Sequence, residues 1–238
     1  MPDLITSDQN YSPASRNSLI REALQLEEEL KARRAQTDAY FWLTECTRTK
    51  DEQDQTDPYK PFPRRPYFRP IMRVLDNEGV VFLEKSRTMM ASWLSAGWAA
   101  HKMFTRPATT IVFQSENENR AVLLIDYVRT LWEQSMASLK QRWTPVSGRQ
   151  AYNTWQMANG SIGYAIPGDP DQIRYLHPTV VILDEAAFMT QGERAYNTAV
   201  ATRCRQIICI SSANPGWYQH VSESAVPVNW PAYEEMAA

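Results

Sequence analysis

The stretch VVILDEAAF at residues 180–188 runs from four apolar residues directly into two acids. An uninterrupted apolar run of this length is typical of a strand buried on both faces of a parallel sheet. Such sheets bind ligands at the carboxyl ends of their strands. Asp184 and Glu185 are therefore predicted to lie in a ligand crevice, where an aspartate can hold Mg²⁺ and an adjacent glutamate can polarise water. The alternative is a strand that ends in two solvated acids.

A second segment, VVFLEKSRTMMASWL at residues 80–94, has the layout of a strand, a short turn and a helix. The start of a helix offers unpaired N–H groups and a positive dipole end to a phosphate. Ser92 stands where a Mg²⁺-binding hydroxyl belongs. The standard pattern G-x-x-x-x-G-K-[ST] needs glycine at 85 and 90 and lysine at 91. This chain has Lys85, Met90 and Ala91 instead, so an ordinary strand-to-helix turn is the alternative.

A third segment, ICISSANPG at residues 208–216, is another apolar strand with small polar residues at its carboxyl end. Ser211, Ser212 and Asn214 are candidates for sensing a terminal phosphate or the water that attacks it. Asn-Pro-Gly is also an ordinary turn signal, which is the competing interpretation.

Around these segments, apolar strand patterns alternate with helical patterns. We predict strands at 80–84, 109–115, 179–188 and 205–214, a hairpin at 154–157 and 161–166, and helices at 17–35, 92–104, 118–143 and 192–202. Asn17 could cap the first helix, whose apolar stripe comprises Leu19, Ala23, Leu26 and Leu30. Residues 47–66 are polar and interrupted by prolines, which indicates a linker or an extended arm. The alternation predicts an α/β fold with a largely parallel central sheet.

The composition excludes several classes of protein. The chain has 238 residues, 43% of them hydrophobic, which rules out a collagen or a fully disordered chain. Three cysteines without a CxxC pair indicate neither a disulfide framework nor a zinc site. The net charge of −2 provides no overall attraction for nucleic acid, so any DNA binding needs a local patch. A polar amino terminus and short apolar stretches predict neither a signal peptide nor a membrane span.

In order and spacing, EKSRTMMASWL, VVILDEAAF and ISSANPG resemble the ATPase motifs of the large terminase subunit of tailed bacteriophages. TTIVFQSENENRA, FWLTECTRTKDEQ and PFPRRPYFRP also resemble segments of that family, so that the resemblance spans roughly residues 36–216. It implies an α/β P-loop NTPase fold of the ASCE type, with a mainly parallel sheet flanked by helices and an N-terminal helical appendage. The implied domains are a helical segment and linker arm (1–60), an ATPase core (61–216), and an extension or the start of a missing lid or nuclease region (217–238).

The resemblance also implies roles for individual residues. Some terminases place the phosphate lysine at the beginning of the loop, which would assign Lys85 to the β- and γ-phosphates. Glu185 would activate water. ATP would further contact Ser86, Arg87 and Ser92; Mg²⁺ would be held by Asp184 and Ser92; and hydrolysis would be coupled to DNA movement through Ser211, Ser212 and Asn214.

Two further assignments have ordinary alternatives. Arg174 resembles the catalytic arginine that one subunit of a ring offers to its neighbour's ATP, or it is a surface arginine paired with Asp169 or Asp171. Tyr67 and Arg69 could stack on the adenine, or the proline-rich arm that contains them could pack its aromatic rings into the core.

The resemblance predicts an ATP- and Mg²⁺-dependent motor that moves double-stranded DNA into a procapsid. Its expected partners are DNA, the portal protein, the small terminase subunit and further copies in a ring, without a membrane. The expected location is the cytoplasm of the infected bacterial host, docked on the procapsid. Because the sequence stops soon after Gly216, nuclease activity is not expected. The alternatives are a non-hydrolysing P-loop scaffold or nucleic-acid-binding protein, and a helicase-like translocase.

Overall fold

The computed structural model describes residues 13–86, 88–148 and 150–224. Eight strands lie in this part of the chain. A two-stranded antiparallel sheet comprises β1 (Arg48–Lys50) and β2 (Tyr59–Pro61). The six-stranded sheet comprises β3 (Val80–Glu84), β4 (Thr110–Ser115), β5 (Thr154–Gln156), β6 (Ile162–Ile166), β7 (Val180–Asp184) and β8 (Gln206–Ser211).

The strand order of the large sheet is β3-β8-β7-β4-β6-β5. All neighbouring strands are parallel except β5 and β6, which pair antiparallel as the predicted hairpin. Strand β8 lies between β3 and β7, so the third motif separates the first two. The register places Glu84 beside Ser211 and Ser115 beside Asp184, which brings the carboxyl ends of four strands to one edge. The predicted, mainly parallel α/β sheet is confirmed.

Nine α-helices and two short helices of other types accompany the strands in the described residues. The α-helices are α1 (Pro13–Thr37), α2 (Ala39–Phe41), α3 (Phe68–Asn77), α4 (Ala91–Thr105), α5 (Glu118–Glu133), α6 (Ala137–Arg142), α7 (Asp171–Leu176), α8 (Gly192–Ala201) and α9 (Trp217–Ser224). A π-helix (Trp42–Cys46) follows α2, and a 3₁₀ helix (Ala186–Phe188) follows β7. None of the described helices combines the length and the apolar character needed to cross a membrane.

The single helix predicted over 118–143 is wrong, because the chain breaks it between α5 and α6. The indole N–H of Trp42 donates to Ser135 Oγ at 3.0 Å, and Ser135 Oγ donates to the carbonyl of Leu131 at 2.8 Å. The backbone N–H of Met136 donates to the carbonyl of Cys46 at 3.0 Å. These bonds tie the break to the π-helix, a partner that helical periodicity cannot reveal.

Two hydrophobic clusters cover the two faces of the sheet. One contains Phe113 and Ile182 with Trp42 and Trp98, and the other contains Val181 and Tyr218 with residues of α8. Successive residues of β7 alternate between the clusters, which confirms that this strand is buried on both faces. Residues 32–46 of the predicted appendage contribute to the first cluster, so this part of the N-terminal segment belongs to the same core.

Helix α1 (Pro13–Thr37) includes Asn17, which therefore does not cap it. Its apolar stripe faces solvent: Leu19, Leu26 and Leu30 are each at least half exposed. Burial begins near the end of the helix, at Ala32 and Ala35.

Candidate nucleotide site

The carboxyl ends of four parallel strands form the candidate site. Lys85 follows β3, Asp184 ends β7, and Ser115 and Ser211 end β4 and β8. The topology therefore gathers the three sequence motifs at one edge of the sheet, where open α/β sheets bind ligands.

Lys85 and Glu185 form an ion pair with 2.6 Å between Nζ and Oε1. Their side chains are only 10% and 19% exposed. Because water screens a pair this far removed from solvent only weakly, the attraction between the two opposite charges is stronger than in an exposed ion pair. The two residues predicted to hold phosphate and to activate water are thus in direct contact, each neutralising the other.

Ser92 and Asp184 form the second contact. The Ser92 hydroxyl lies 3.0 Å from both carboxylate oxygens of Asp184, to which it can donate its hydrogen bond. Burial raises the pKa of Asp184 to about 6, although Lys85 and the Ser92 hydrogen bond act in the opposite direction. A desolvated carboxylate beside a hydroxyl gains from a nearby cation and offers oxygen ligands, so the two residues fit Mg²⁺.

The loop between β3 and α4 takes glycine-like backbone conformations without glycine. Thr88 has φ of 73° and Met90 has φ of 55°, both in the left-handed region. Met90 occupies the N-cap position of α4 and makes no side-chain cap, so the first N–H groups of the helix can serve another acceptor. Ser86 is exposed in this loop, and its backbone N–H points to Met89 Sδ at 3.3 Å. Arg87 lies outside the described residues.

The third motif is joined to the segment that follows Glu185. Ser211 Oγ accepts from the N–H of Ala187 at 3.1 Å, and Asn214 Nδ2 donates to the carbonyl of Ala187 at 2.8 Å. The Ser211 carbonyl accepts from the N–H of Lys85 at 2.9 Å. Ser212 is partly buried nearby. Glu185 itself has φ of 54°, a strained conformation that this clamp helps to fix.

Tyr67 is buried rather than presented as a stacking surface. Its hydroxyl donates to the carbonyl of Met89 at 3.4 Å, and its ring packs edge-on against Phe68 at 5.0 Å. Arg69 is exposed and stacks over Tyr40, with 4.4 Å to the ring centroid. The adenine role therefore gains no support from these contacts, and Tyr67 instead supports the loop.

Arg174 lies on α7 and forms no ion pair or hydrogen bond with Lys85, Ser92, Asp184 or Glu185. Its side chain is 61% exposed, and its guanidinium is 4.0 Å from Asp171, whose carboxylate is 2.5 Å from Arg194. The predicted pairing with Asp171 is thus present but loose. An exposed arginine of this kind is available to a neighbouring molecule.

Ser115 is a further residue of the site that lies in none of the three sequence motifs. Its buried hydroxyl donates to the carbonyl of Asp184 at 2.9 Å and joins the ends of β4 and β7. The sequence signal that could have identified Ser115 is its position in TTIVFQS, where a polar residue ends an apolar strand, as in the three motifs.

The structure combines a loop between a strand and a helix with an acid pair that lies two strands away in a mainly parallel α/β sheet. This fold is similar to the folds of a phage large terminase and of a large terminase ATPase domain. The large terminase of bacteriophage HK97 superposes with a TM-score of 0.57 at 15% identity, covering 74% of this chain and 37% of that protein. The large terminase ATPase domain of Thermus phage P74-26 gives a TM-score of 0.51 at 15% identity, covering 71% of this chain and 79% of that domain.

The chain therefore spans little more than a third of the HK97 protein. No protein-family model and no curated protein sequence matches the chain. At this level of identity, the structural likeness concerns the fold.

Proposed function

We propose that this chain is the ATP-hydrolysing motor domain of a large terminase, which powers the movement of double-stranded DNA into a procapsid. The observation that carries the proposal is a pair of contacts between distant motifs. Lys85 meets Glu185 across 100 positions of sequence, and Ser92 meets Asp184 across 92, both at the ligand-binding edge of the sheet. Residue types suited to phosphate, water and Mg²⁺ thus converge at one place.

In this proposal, Lys85 and the first N–H groups of α4 bind the phosphates. Ser92 and Asp184 hold Mg²⁺, which when bound supplies positive charge to the phosphate oxygens. Glu185 accepts a proton from the attacking water or orients it. Because Lys85 now neutralises Glu185, a bound triphosphate must draw Lys85 away before Glu185 can act as a base.

The contacts between the third motif and the segment after Glu185 would couple ATP hydrolysis to DNA movement. Ser211 and Asn214 hold Ala187, two positions after Glu185, so a change at the catalytic glutamate would be transmitted to β8 and the segment after it. The proposed partners are DNA, the portal protein, the small terminase subunit and neighbouring copies in a ring. The proposed location is the procapsid in the host cytoplasm.

The glycine-free loop and the Lys85–Glu185 pair favour one competing function, a P-loop scaffold that does not hydrolyse ATP. Steady-state ATPase measurements on the wild type, Glu185→Gln and Lys85→Ala separate the two. A motor domain should lose at least about 100-fold in turnover with Glu185→Gln. Lys31→Ala, which removes an exposed lysine of α1 remote in sequence from the motifs, is the matched control and should hydrolyse ATP at the wild-type rate. Equal background rates in all four proteins would favour the scaffold.

A further inference from the structure

A cavity of about 620 Å³ opens at the edge of the sheet opposite the candidate nucleotide site. It lies at the amino ends of β4, β7 and β8, where Thr109, Val180 and Gln206 line it. Residues of α3 and α4 complete its wall. We refer to this cavity as the amino-end cleft.

The amino-end cleft carries more positive than negative charge. Lys102, Arg106 and Arg205 line it together with one carboxylate, Asp76. Asp76 Oδ1 already accepts from Lys102 Nζ at 2.5 Å and from the indole N–H of Trp98 at 3.0 Å. Arg106 and Arg205 are exposed and have no acidic partner within ion-pair distance among the residues that the structure describes. Two guanidinium groups are thus left without a counter-charge beside an ammonium that is buried.

The backbone at this edge is already paired. The N–H of Thr179 donates to the carbonyl of Thr110 at 2.7 Å, and the N–H of Gln206 donates to the carbonyl of Thr179 at 3.2 Å. The N–H of Ile162 donates to the carbonyl of Thr109 at 2.9 Å. A peptide that docked as an extra strand would need these groups free. A ligand of this cleft would therefore be bound mainly by its charged side chains.

The cleft is separate from the candidate nucleotide site. Helix α4 carries Ser92 at one site and Lys102 at the other, ten residues or about 15 Å along the helix. Strand β7 carries Asp184 and Val180, four residues or about 13 Å apart. The cleft is thus too far away to be a second half of the phosphate loop, although the two sites share α4, β7 and β8.

We propose that the amino-end cleft binds a phosphate group, held by the guanidinium groups of Arg106 and Arg205 with Lys102 beneath them. Arginine presents paired N–H donors that match phosphate oxygens, and a partly desolvated ammonium strengthens the attraction. The phosphate can belong to the backbone of duplex DNA or to a free phosphate compound. This inference does not depend on the proposed ATPase activity.

The test uses the full chain and two probes. Fluorescence anisotropy measures binding of a labelled 30-base-pair duplex over a series of salt concentrations, and calorimetry measures binding of inorganic pyrophosphate. The cleft variant is Arg106→Ala with Arg205→Ala. The control is Arg16→Ala with Arg21→Ala, which removes the same charge from the exposed face of α1. Thermal melting shows whether each variant is folded, and a second cleft variant, Arg106→Lys with Arg205→Lys, keeps the charge but loses the paired donors.

If DNA is the source, the cleft variant should bind the duplex at least tenfold more weakly than the wild type. The slope of log K against log salt should fall in magnitude by about 2, because two phosphate contacts are lost. The control should change less than twofold, and the lysine variant should be intermediate. If pyrophosphate binding falls while duplex binding does not, the proposal stands with a free phosphate compound as its source.

The proposal is overturned if the cleft variant and the control bind both probes alike. It is also overturned if the cleft variant changes only the self-association of the protein in sedimentation velocity. That result would assign the cleft to an acidic segment of a second copy.

Discussion

At the scale of single residues, Lys85 and Glu185 are paired with each other through a 2.6 Å contact. Breaking a buried ion pair by removing one member leaves the other charge without its partner. Glu185→Gln should therefore leave Lys85 without a negative partner, so that its ammonium is free to bind phosphate. The substitution also removes a negative charge that repels phosphate. We expect the variant to bind a non-hydrolysable ATP analogue at least about fivefold more tightly than the wild type in calorimetry, which corresponds to about 1 kcal/mol.

The control for this prediction is Glu84→Gln, which removes an exposed carboxylate next to Lys85 in sequence but not paired with it. Its affinity for the analogue should stay close to that of the wild type. An unchanged or weaker affinity in Glu185→Gln would show that the ion pair does not compete with nucleotide.

The sequence was sufficient to place Lys85, Ser92, Asp184 and Glu185 at the same edge, because each lies at the end or the start of an element whose pattern is clear. It could not predict the direct Lys85–Glu185 contact, which depends on side-chain conformation between segments far apart in sequence. The aromatic and cationic residues in RRPYFRP could not be divided into buried and exposed ones either. That division is set by α3, which begins at Phe68 and directs Tyr67 inward.

Thr88 allows a test of the glycine-free loop. A β-branched residue at φ of 73° is strained by about 1–2 kcal/mol, whereas glycine is not. Thr88→Gly should therefore be more stable than Thr88→Ala by about 0.5–1 kcal/mol, once the extra freedom of glycine in the unfolded chain is subtracted. Urea unfolding of the two variants measures the difference. Equal stabilities would mean that the loop relaxes this strain elsewhere.

At the scale of elements, α1 is fastened to α4 by His101. The imidazole is buried, and its Nε2–H donates to the carbonyl of Ala35 at 2.8 Å. Burial is the main cause that lowers its pKa to about 4 from the usual 6.5. Because the folded pKa lies below the unfolded value, the neutral histidine stabilises the fold above pH 6.5, and this contribution is lost as the pH falls through about 4. The loss should reach about 3 kcal/mol, since each pKa unit corresponds to 1.36 kcal/mol.

Urea unfolding at pH 7, 6, 5 and 4 tests this linkage against His101→Gln, which keeps a donor but does not titrate. The free energies of unfolding of the two proteins should converge as the pH falls, because only the wild type loses the histidine contribution. Carboxylates affect both proteins alike, so only the difference between their free energies of unfolding reports on His101. A difference that stays constant from pH 7 to pH 4 would contradict the lowered pKa of His101.

The strands were more predictable than the helices for a physical reason. Strands β4, β7 and β8 are buried in the sheet, and β3 forms its edge with Val80 exposed. All four have continuous apolar runs that end at polar residues. Helices α3 and α7 follow proline-containing segments whose composition indicates loops. Strands β1 and β2 lie in the polar segment 47–66, where local composition favours a linker and only their mutual pairing forms a sheet.

At the scale of the whole molecule, the position of Arg174 bears on assembly. The residue lies on α7, exposed, with its nearest carboxylate 4.0 Å away, and it makes no contact with Lys85, Ser92, Asp184 or Glu185 of its own chain. An arginine that serves catalysis from such a place must act on a neighbouring copy. In a ring built from heterologous contacts, each interface would then combine Glu185 of one subunit with Arg174 of the next.

Subunit mixing tests this arrangement. Arg174→Ala and Glu185→Gln should each be inactive as an assembled motor, while Arg174→Ala should still bind nucleotide. Mixed in equal amounts, they should regain ATPase activity, because about a quarter of the interfaces in a randomly mixed ring then join an intact Glu185 to an intact Arg174. Mixing Glu185→Gln with a double variant that carries both changes is the control and should restore nothing, since no subunit supplies the glutamate. If Arg174→Ala hydrolyses ATP at the wild-type rate when assembled, Arg174 does not act in catalysis, and the nucleotide site of the neighbouring subunit does not need it.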